Sequence, residues 1–462
     1  MAITVAGQLL LKPDRSSVVA LATCAVASTL LFSTLLYLFG ISPVPLLLAL
    51  GSATLLWFAY SHTVACVGAF LAFMPFFPLV FLLAKFFGPS YIGQLEGIDR
   101  AVLLLLTILL FVRNRVKLIR PDYFLLAAFG LAALRLPFDG SLLALAADFG
   151  FIIPYAAGRL IQLTADQEAS WAGRAVWIMA IVSLLGLAEV FILGEMPRTL
   201  LYFRVAVDQT VNGDSLIGTF HGSEFTGLRV SGTQFGPLPF GALCMAALIL
   251  WWVYSRKPLA AIIIGLGLLG SLARGAWVGT AFGIPLAALG MGQTKRLFKY
   301  GVVALVLIVA AVPILGISGY LNAIQSGEDA SAQGHESSLV NGMQFVLSHP
   351  LGIGSANYGR QAMKSNPDAF YYEGALFTFL GGYGIPVTFC LAAFIVTAAR
   401  RAWRHRSRVG LAGAAIVAGF TVVMIFLAAH DVFALACWIW FPIGLALSSS
   451  PRQESRPSPL VS

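Results

Sequence analysis

The sequence predicts an all-α fold: a polytopic integral membrane helix bundle of 12 to 14 transmembrane helices, with a long external loop carrying a short amphipathic helix. Three observations predict it. The 462 residues are 59% hydrophobic and only 11% charged, with a mean hydropathy of +0.87, whereas soluble domains run at about 45–50% apolar and about 25% charged. The apolar residues gather in runs near the roughly 20 residues that a spanning helix needs, because backbone polar groups in hydrocarbon must be satisfied within the segment. The basic residues fall between these runs, in clusters that all lie on one side if the runs alternate across the membrane.

In chain order, the run 17–40 follows Lys12 and Arg15 and reads as an uncleaved first span, since no clear small-residue cleavage site follows it. Runs 43–60 and 62–86 come next. The run 100–112 ends at Arg113, Arg115, Lys117 and Arg120, and 122–137 starts beyond that cluster with Pro137 as a breaking point. Runs 141–162 and 174–194 lead to a first long external loop, 195–232. After it, 235–254 ends at Arg256 and Lys257, 258–273 and 275–291 form a tight hairpin, and Lys295, Arg296 and Lys299 precede 300–318. A second long external loop, 319–372, leads to 373–398, which ends at Arg400, Arg401, Arg404, Arg406 and Arg408. The hairpin of 409–428 with 431–448 closes the predicted single transmembrane domain, 1–448. The Pro- and Ser-rich tail 449–462, with Arg452 and Arg456, is expected to be disordered and cytoplasmic.

Counted from a cytoplasmic N-terminus, every basic cluster falls on the cytoplasmic side. The net charge of +9 is therefore mainly a topology signal, and no nucleic-acid partner is expected. The run RRAWRHRSR (400–408) also suits anionic lipid headgroups. The five cysteines, Cys24, Cys66, Cys244, Cys390 and Cys437, lie inside spans without metal-ligand spacing and read as small buried side chains. The string GLGLLG (265–270) sits in an apolar span without a βαβ setting, which excludes a dinucleotide site, and Leu339 interrupts a zincin-like pattern at His335-Glu336. Neither a metal nor a cofactor is expected.

Function is expected in the long external loops. The positive-inside rule disfavours arginine there, so Arg204, Arg229, Arg274 and Arg360 each need an anionic partner. Asp208, Asp214, Glu224 and Asp431 are protein candidates, and a phosphate-bearing lipid head is the other, since guanidinium forks onto phosphate oxygens. For Arg274 the plain alternative is a snorkelling helix-end arginine. In the second loop, Leu339, Met343, Val346 and Leu347 recur at helical spacing. Pro350 should stop that helix, and Gly352, Gly354 and Gly359 should form a flexible turn beyond it. The predicted helix lies on the external membrane surface, either as a lid over a lipid-linked substrate or simply packed on the bundle. His430 and Asp431 fall at the external mouth, to line the cavity or, for Asp431, to cap a helix.

Four motifs then stand in one order around the second loop: LRVSGTQFGPLPFG (228–241), GSLARGAWVG (270–279), FVLSHPLGIGSANYG (345–359) and EGALFTFLGGYGIP (373–386). In sequence and topology they resemble the O-antigen ligase and Wzy-type polysaccharide polymerase family, over a core of about residues 200–390. The resemblance implies a metal-independent GT-C-type glycosyltransferase of the bacterial inner membrane, with its active site facing the periplasm. It would move a glycan from an undecaprenyl-diphosphate carrier to a glycan or lipid acceptor, with a repeat-unit flippase and a chain-length regulator as further partners. The same resemblance implies that Arg229 and Arg274 hold the diphosphate. Two departures matter. Fifteen residues before Pro350, where many members have arginine, this chain has His335. Eleven residues before Gly384, where ligases have a His-Asn or His-Ser pair, it has Glu373-Gly374. Glu373 is then the general base, against the plain reading of a carboxylate at a helix N-terminus. Loss of the histidine points away from a lipid A core ligase and toward a polymerase of exopolysaccharide, capsule or O-antigen repeats.

The rival class is a carrier or flippase for lipid-linked glycan. Such proteins place charges near the midplane, often in repeated halves; here Glu189 and Asp148 are the main charged residues within spans, and no repeat is evident. A scaffold role is the third reading.

Overall fold

The computed structural model describes residues 59–80, 97–193, 229–234, 236–255, 257–314, 330–364, 366–426 and 431–448. Residues 1–66 and 67–462 make two compact units. Within the described part of the first, the Thr63 hydroxyl donates to the Tyr60 carbonyl at 3.0 Å; all that follows concerns the second. The helices are α1 (Thr63–Phe73), α2 (Ile98–Arg113), α3 (Arg120–Ala133), α4 (Leu142–Asp148), α5 (Ile152–Leu160), α6 (Ala165–Ala188), α7 (Pro237–Tyr254), α8 (Pro258–Gly270), α9 (Arg274–Gly290), α10 (Thr294–Ile314), α11 (Ala330–Ser348), α12 (Ala375–Arg404), α13 (Arg408–Phe426) and α14 (Phe433–Ala446). Among the described residues the only β pairing is an isolated bridge between Tyr358 and Phe370.

This is a helical membrane protein. Among the described residues five helices are long and apolar enough to cross a bilayer: Thr63–Val80, Ala165–Ile192, Pro237–Tyr254, Ala375–Arg404 and Arg408–Ile425. A sixth span results if α4 and α5, which meet at a 49° bend, count as one. The expected 12 to 14 spans are thus not what these helices support. The expected hairpin of 258–273 with 275–291 is present, but its two helices, α8 and α9, hold 13 and 17 residues, short of the roughly 20 that a full span needs. The expected spans 17–40 and, to residue 58, 43–60 lie outside the described residues, as do loop 195–232 to residue 228, residues 319–329 and the tail 449–462.

Contacts define two ends of the bundle. At the first, Asn114 Nδ2 donates to Leu160 O at 2.8 Å, Arg159 donates to Lys117 O at 3.0 Å and to Leu447 O, and Arg296 reaches Trp252 O at 3.2 Å. Gly290 there abuts Trp403. The basic clusters around Arg113, Lys257, Lys295 and Arg404 gather at this end, as the alternation of the runs requires. A buried ion pair, Arg159 with Asp122 at 3.0 Å, is completed there by the Tyr155 hydroxyl, which donates to Asp122 Oδ1 at 2.6 Å. The candidate residues lie at the opposite end.

That end is organised by a break in α12. Gly384 has φ +86° and ψ 174°, so the helical bond between Ile385 N–H and Gly381 O is not made. Both groups find partners in the preceding loop: Ile353 N donates to Gly381 O at 2.8 Å, and Ile385 N donates to Pro350 O at 2.9 Å. One lost helix bond becomes two bonds that fasten the loop to the helix. Arg135, paired with Asp139, also donates to Leu351 O and to Gly352 O, while Ser355 Oγ accepts from Ser141 N at 2.9 Å. The expected flexible glycine turn is therefore pinned. Gly354, at φ +91°, lies so close to Asp139 that a Cβ would meet the Asp139 carbonyl oxygen.

Helix α11 ends at Ser348, before Pro350 as the sequence predicts. Its buried face differs from the expected one. Val346 is 4% exposed, but Leu339, Met343 and Leu347 are 44%, 49% and 75% exposed. Gly342 and Phe345, which an apolar count overlooks or underweights, set the contact: Gly342 lies against the Phe377 ring, and Phe345 packs with Val346, Tyr358 and Phe377. The helix thus packs on the bundle through Gly342, Phe345 and Val346, and Leu339, Met343 and Leu347 face outward.

Replacing Gly384 by alanine is expected to destabilise the protein by about 1–3 kcal/mol or more, because that backbone conformation is hostile to an L side chain and the new Cβ would lie 2.5 Å from Leu351 backbone atoms. Gly130→Ala, inside α3 with open space around its Cβ position, is the control and should be neutral or stabilising. Thermal unfolding of the two variants in detergent measures the difference.

Candidate functional site

The segment 229–234 is non-helical yet almost wholly buried, a placement tolerated at membrane depth only where protein supplies the missing hydrogen bonds. Val230 N donates to Gly270 O at 2.8 Å, Gln234 N to Ser231 O at 3.0 Å, and the Gln234 and Thr233 side chains both donate to Pro75 O. Gly232, at φ +54°, fits against Gly186 of α6, where a Cβ would meet the Gly232 nitrogen at 2.7 Å.

Arg229 opens this segment. Its Nε donates to Ser271 O at 3.0 Å and its Nη2 to Leu272 O at 3.2 Å. These carbonyls follow the C-terminus of α8, where a cation is favoured, so Arg229 fixes the α8–α9 turn as well as standing beside Arg274. Arg274 is the first residue of α9 and half-buried. A helix N-terminus disfavours a cation and favours an anion; an anionic ligand here gains from both the guanidinium and the helix.

Glu373 lies in a bend three residues after the bridge residue Phe370 and just before α12. Gly359 N donates to Phe370 O at 2.8 Å and Phe370 N to Asn357 O at 2.9 Å. Phe370 and Tyr372 join Phe345 in the cluster beneath α11, with ring centroids 5.3 and 5.8 Å from it. Tyr371 stands outside that cluster, within electrostatic reach of Glu373, Arg360 and Asp431. Burial raises the Tyr371 phenol to about 12; the negative charge of Glu373 pushes the same way, Arg360 opposes it, and Asp431 adds to the rise.

The two halves meet at the last turn of α13. Gly374, at φ +115°, is so close to Ile425 that a Cβ would lie 2.6 Å from its carbonyl oxygen, and the Cβ position of Gly275 is 3.7 Å from Val423 Cα. Arg274 and Glu373, each preceding one of these glycines, therefore flank the same turn. Of the other expected residues, Arg360 is exposed and joins the Tyr371 group, and His335 falls within α11. Arg204 and His430 lie outside the described residues. Asp431 does not cap α14: the N-cap is Val432, without a side-chain bond, and Asp431 Oδ1 is buried without a hydrogen-bond partner. No group of three or more metal-ligating side chains occurs among the described residues.

Sequence reasoning passed over Tyr371 and Arg100. The Arg100 Nη2 donates to Asp431 O at 2.9 Å, and its guanidinium lies 5.4 Å over the Phe433 ring. The available signal was an Asp-Arg pair at the head of an apolar run, on the face where arginine is disfavoured. Tyr371 gave none beyond its place two residues before Glu373. The charges singled out inside spans have local roles. Asp148 accepts from the buried Tyr383 hydroxyl at 2.9 Å, and Glu189 begins the π turn after α6.

Residues 259–392 match the family model described as O-Antigen ligase. The matched segment includes Arg274, His335, Arg360 and Glu373, together with the α12 break and the pinned loop. It leaves out Arg229, Arg204 and His430. No curated protein matches the chain.

The difference in tyrosinate absorbance between wild type and Tyr371→Phe is expected to titrate near 12 rather than near 10. Since the folded-state value is the raised one, the stability this phenol contributes is present below pH 10 and is lost as pH rises toward 12. Glu373→Gln should lower the midpoint and Arg360→Gln should raise it; ultraviolet titration in detergent reads all three.

Proposed function

We propose that the protein is a membrane glycosyltransferase that moves a glycan from undecaprenyl diphosphate to an acceptor hydroxyl, polymerising repeat units of an exopolysaccharide, capsule or O-antigen. The supporting observation is that Arg274, beside Arg229, and Glu373 flank one turn of α13 at the end of the bundle opposite the basic clusters. With the basic end cytoplasmic, as the positive-inside rule requires, this end faces the periplasm of a bacterial inner membrane.

In this reading the diphosphate sits at the Arg274 flank, at the N-terminus of α9. The bond from the anomeric carbon to the diphosphate oxygen breaks, and its electron pair leaves on that oxygen, where guanidinium charge neutralises it. The acceptor oxygen forms the new glycosidic bond and gives its proton to the Glu373 carboxylate. Transfer to lipid A core is the second reading. A carrier is disfavoured because the in-span ionisable groups Asp148, Asp122 and Arg159 are tied to partners inside the bundle rather than lining a path.

Purified protein in detergent, with no second compartment, is expected to release undecaprenyl diphosphate from a lipid-linked glycan; a carrier will not. Arg274→Ala should lower the rate about 10²–10³-fold and Glu373→Gln about 10²–10⁴-fold. Wild-type rates in both variants would overturn the site. In cells, loss of a polymerase leaves single exported repeats, whereas loss of a ligase strands long glycans on the carrier.

A further inference from the structure

We propose that Tyr371 binds the acceptor glycan: its hydroxyl, neighbouring Glu373 and turned away from the ring cluster that holds Phe370 and Tyr372, donates a hydrogen bond to an acceptor sugar oxygen. This rests on the glycosyl-transfer reading above and adds a residue that separates acceptor from donor.

Three observations carry the assignment. The first is placement. Phe370 and Tyr372 spend their rings in the cluster beneath α11, whereas Tyr371 stands outside it, close enough to Glu373 to feel its charge. The second is rigidity. The segment is tied at one end by the backbone bonds of Phe370 and at the other by the close fit of Gly374 against Ile425, so the ring is held ready rather than ordered on binding. The third is charge. Tyr371 neighbours two carboxylates, Glu373 and Asp431, and a single guanidinium, Arg360, while Arg229 and Arg274 stand on the other flank of the α13 turn. Paired carboxylates repel a diphosphate, and they accept hydrogen bonds from neutral sugar hydroxyls.

The tyrosine supplies what such a subsite otherwise lacks, a neutral donor and a flat apolar surface for the sugar C–H face. Since the phenol keeps its proton throughout the neutral range, it is available as a donor to a sugar oxygen.

The test uses the full-length protein in detergent, with undecaprenyl-diphosphate-linked repeat unit from the producing cell as donor and free oligosaccharide of the same repeat as acceptor probe. The readout is the partition of released glycan between the probe and water. Tyr371→Phe, which keeps ring and burial, is expected to lower the transfer-to-hydrolysis ratio at least tenfold, with the donor KM unchanged. Tyr372→Phe, within the ring cluster, should leave the ratio as in wild type. A Tyr371→Phe ratio equal to wild type, or a parallel fall of transfer and hydrolysis, overturns the assignment while leaving the transfer reading standing. Failure of the wild-type protein to release undecaprenyl diphosphate with or without probe overturns the transfer reading itself, and this proposal with it.

Discussion

In a hydrocarbon surrounding, a backbone group that loses its helix partner must find another inside the protein, and the opposite end of this bundle depends on how α12 meets that demand. The break at Gly384 releases Gly381 O and Ile385 N, and Pro350 and Ile353 take them up. The loop is thereby registered against the helix. From Ile353 the chain returns through Tyr358 and Gly359, pairs with Phe370, and arrives at Glu373 with its direction already set. The position of the carboxylate is inherited from the repair of a helix.

The same demand shapes the cationic flank. Residues 229–234 are buried without helical bonds, and they are satisfied by Gly270, Pro75 and their own turn. Arg229 takes two carbonyls of the α8–α9 connection, so its charge serves a fold-building purpose while raising the positive potential beside Arg274.

What the sequence disclosed followed from strong local signals. The α8–α9 hairpin, the helix stopping before Pro350 and the start of α12 after Glu373-Gly374 all rest on proline, glycine and apolar runs. The gathering of basic clusters at one end came from charge placement. Other features needed the third dimension. Apolar periodicity could not choose the buried face of α11, because Gly342 contributes by its smallness and Phe345 by partners more than ten residues away. Asp431 looked like a cap, yet the helix begins one residue too late for it, and its backbone is instead held by Arg100. Tyr371 became notable only once the cluster beneath α11 took up Phe370 and Tyr372 without it. Hydropathy marks α8 and α9 as separate runs but does not register that each is shorter than a full span.

The fastening of the loop has a bearing on how the chain is built. Arg135 meets Leu351 across 216 positions, Gly374 fits against Ile425, and Arg100 reaches Asp431. Contacts so distant in sequence close late, since the entropy of the intervening loop must be met first. As the ribosome delivers the polypeptide from its N-terminus, α3 enters the bilayer long before its partners exist, and Glu373 emerges ahead of the helix that seats it. This end of the bundle is thus among the last parts of the molecule to take shape, and a nascent chain halted after α12 would be inserted yet lack the α13 turn against which Gly374 fits.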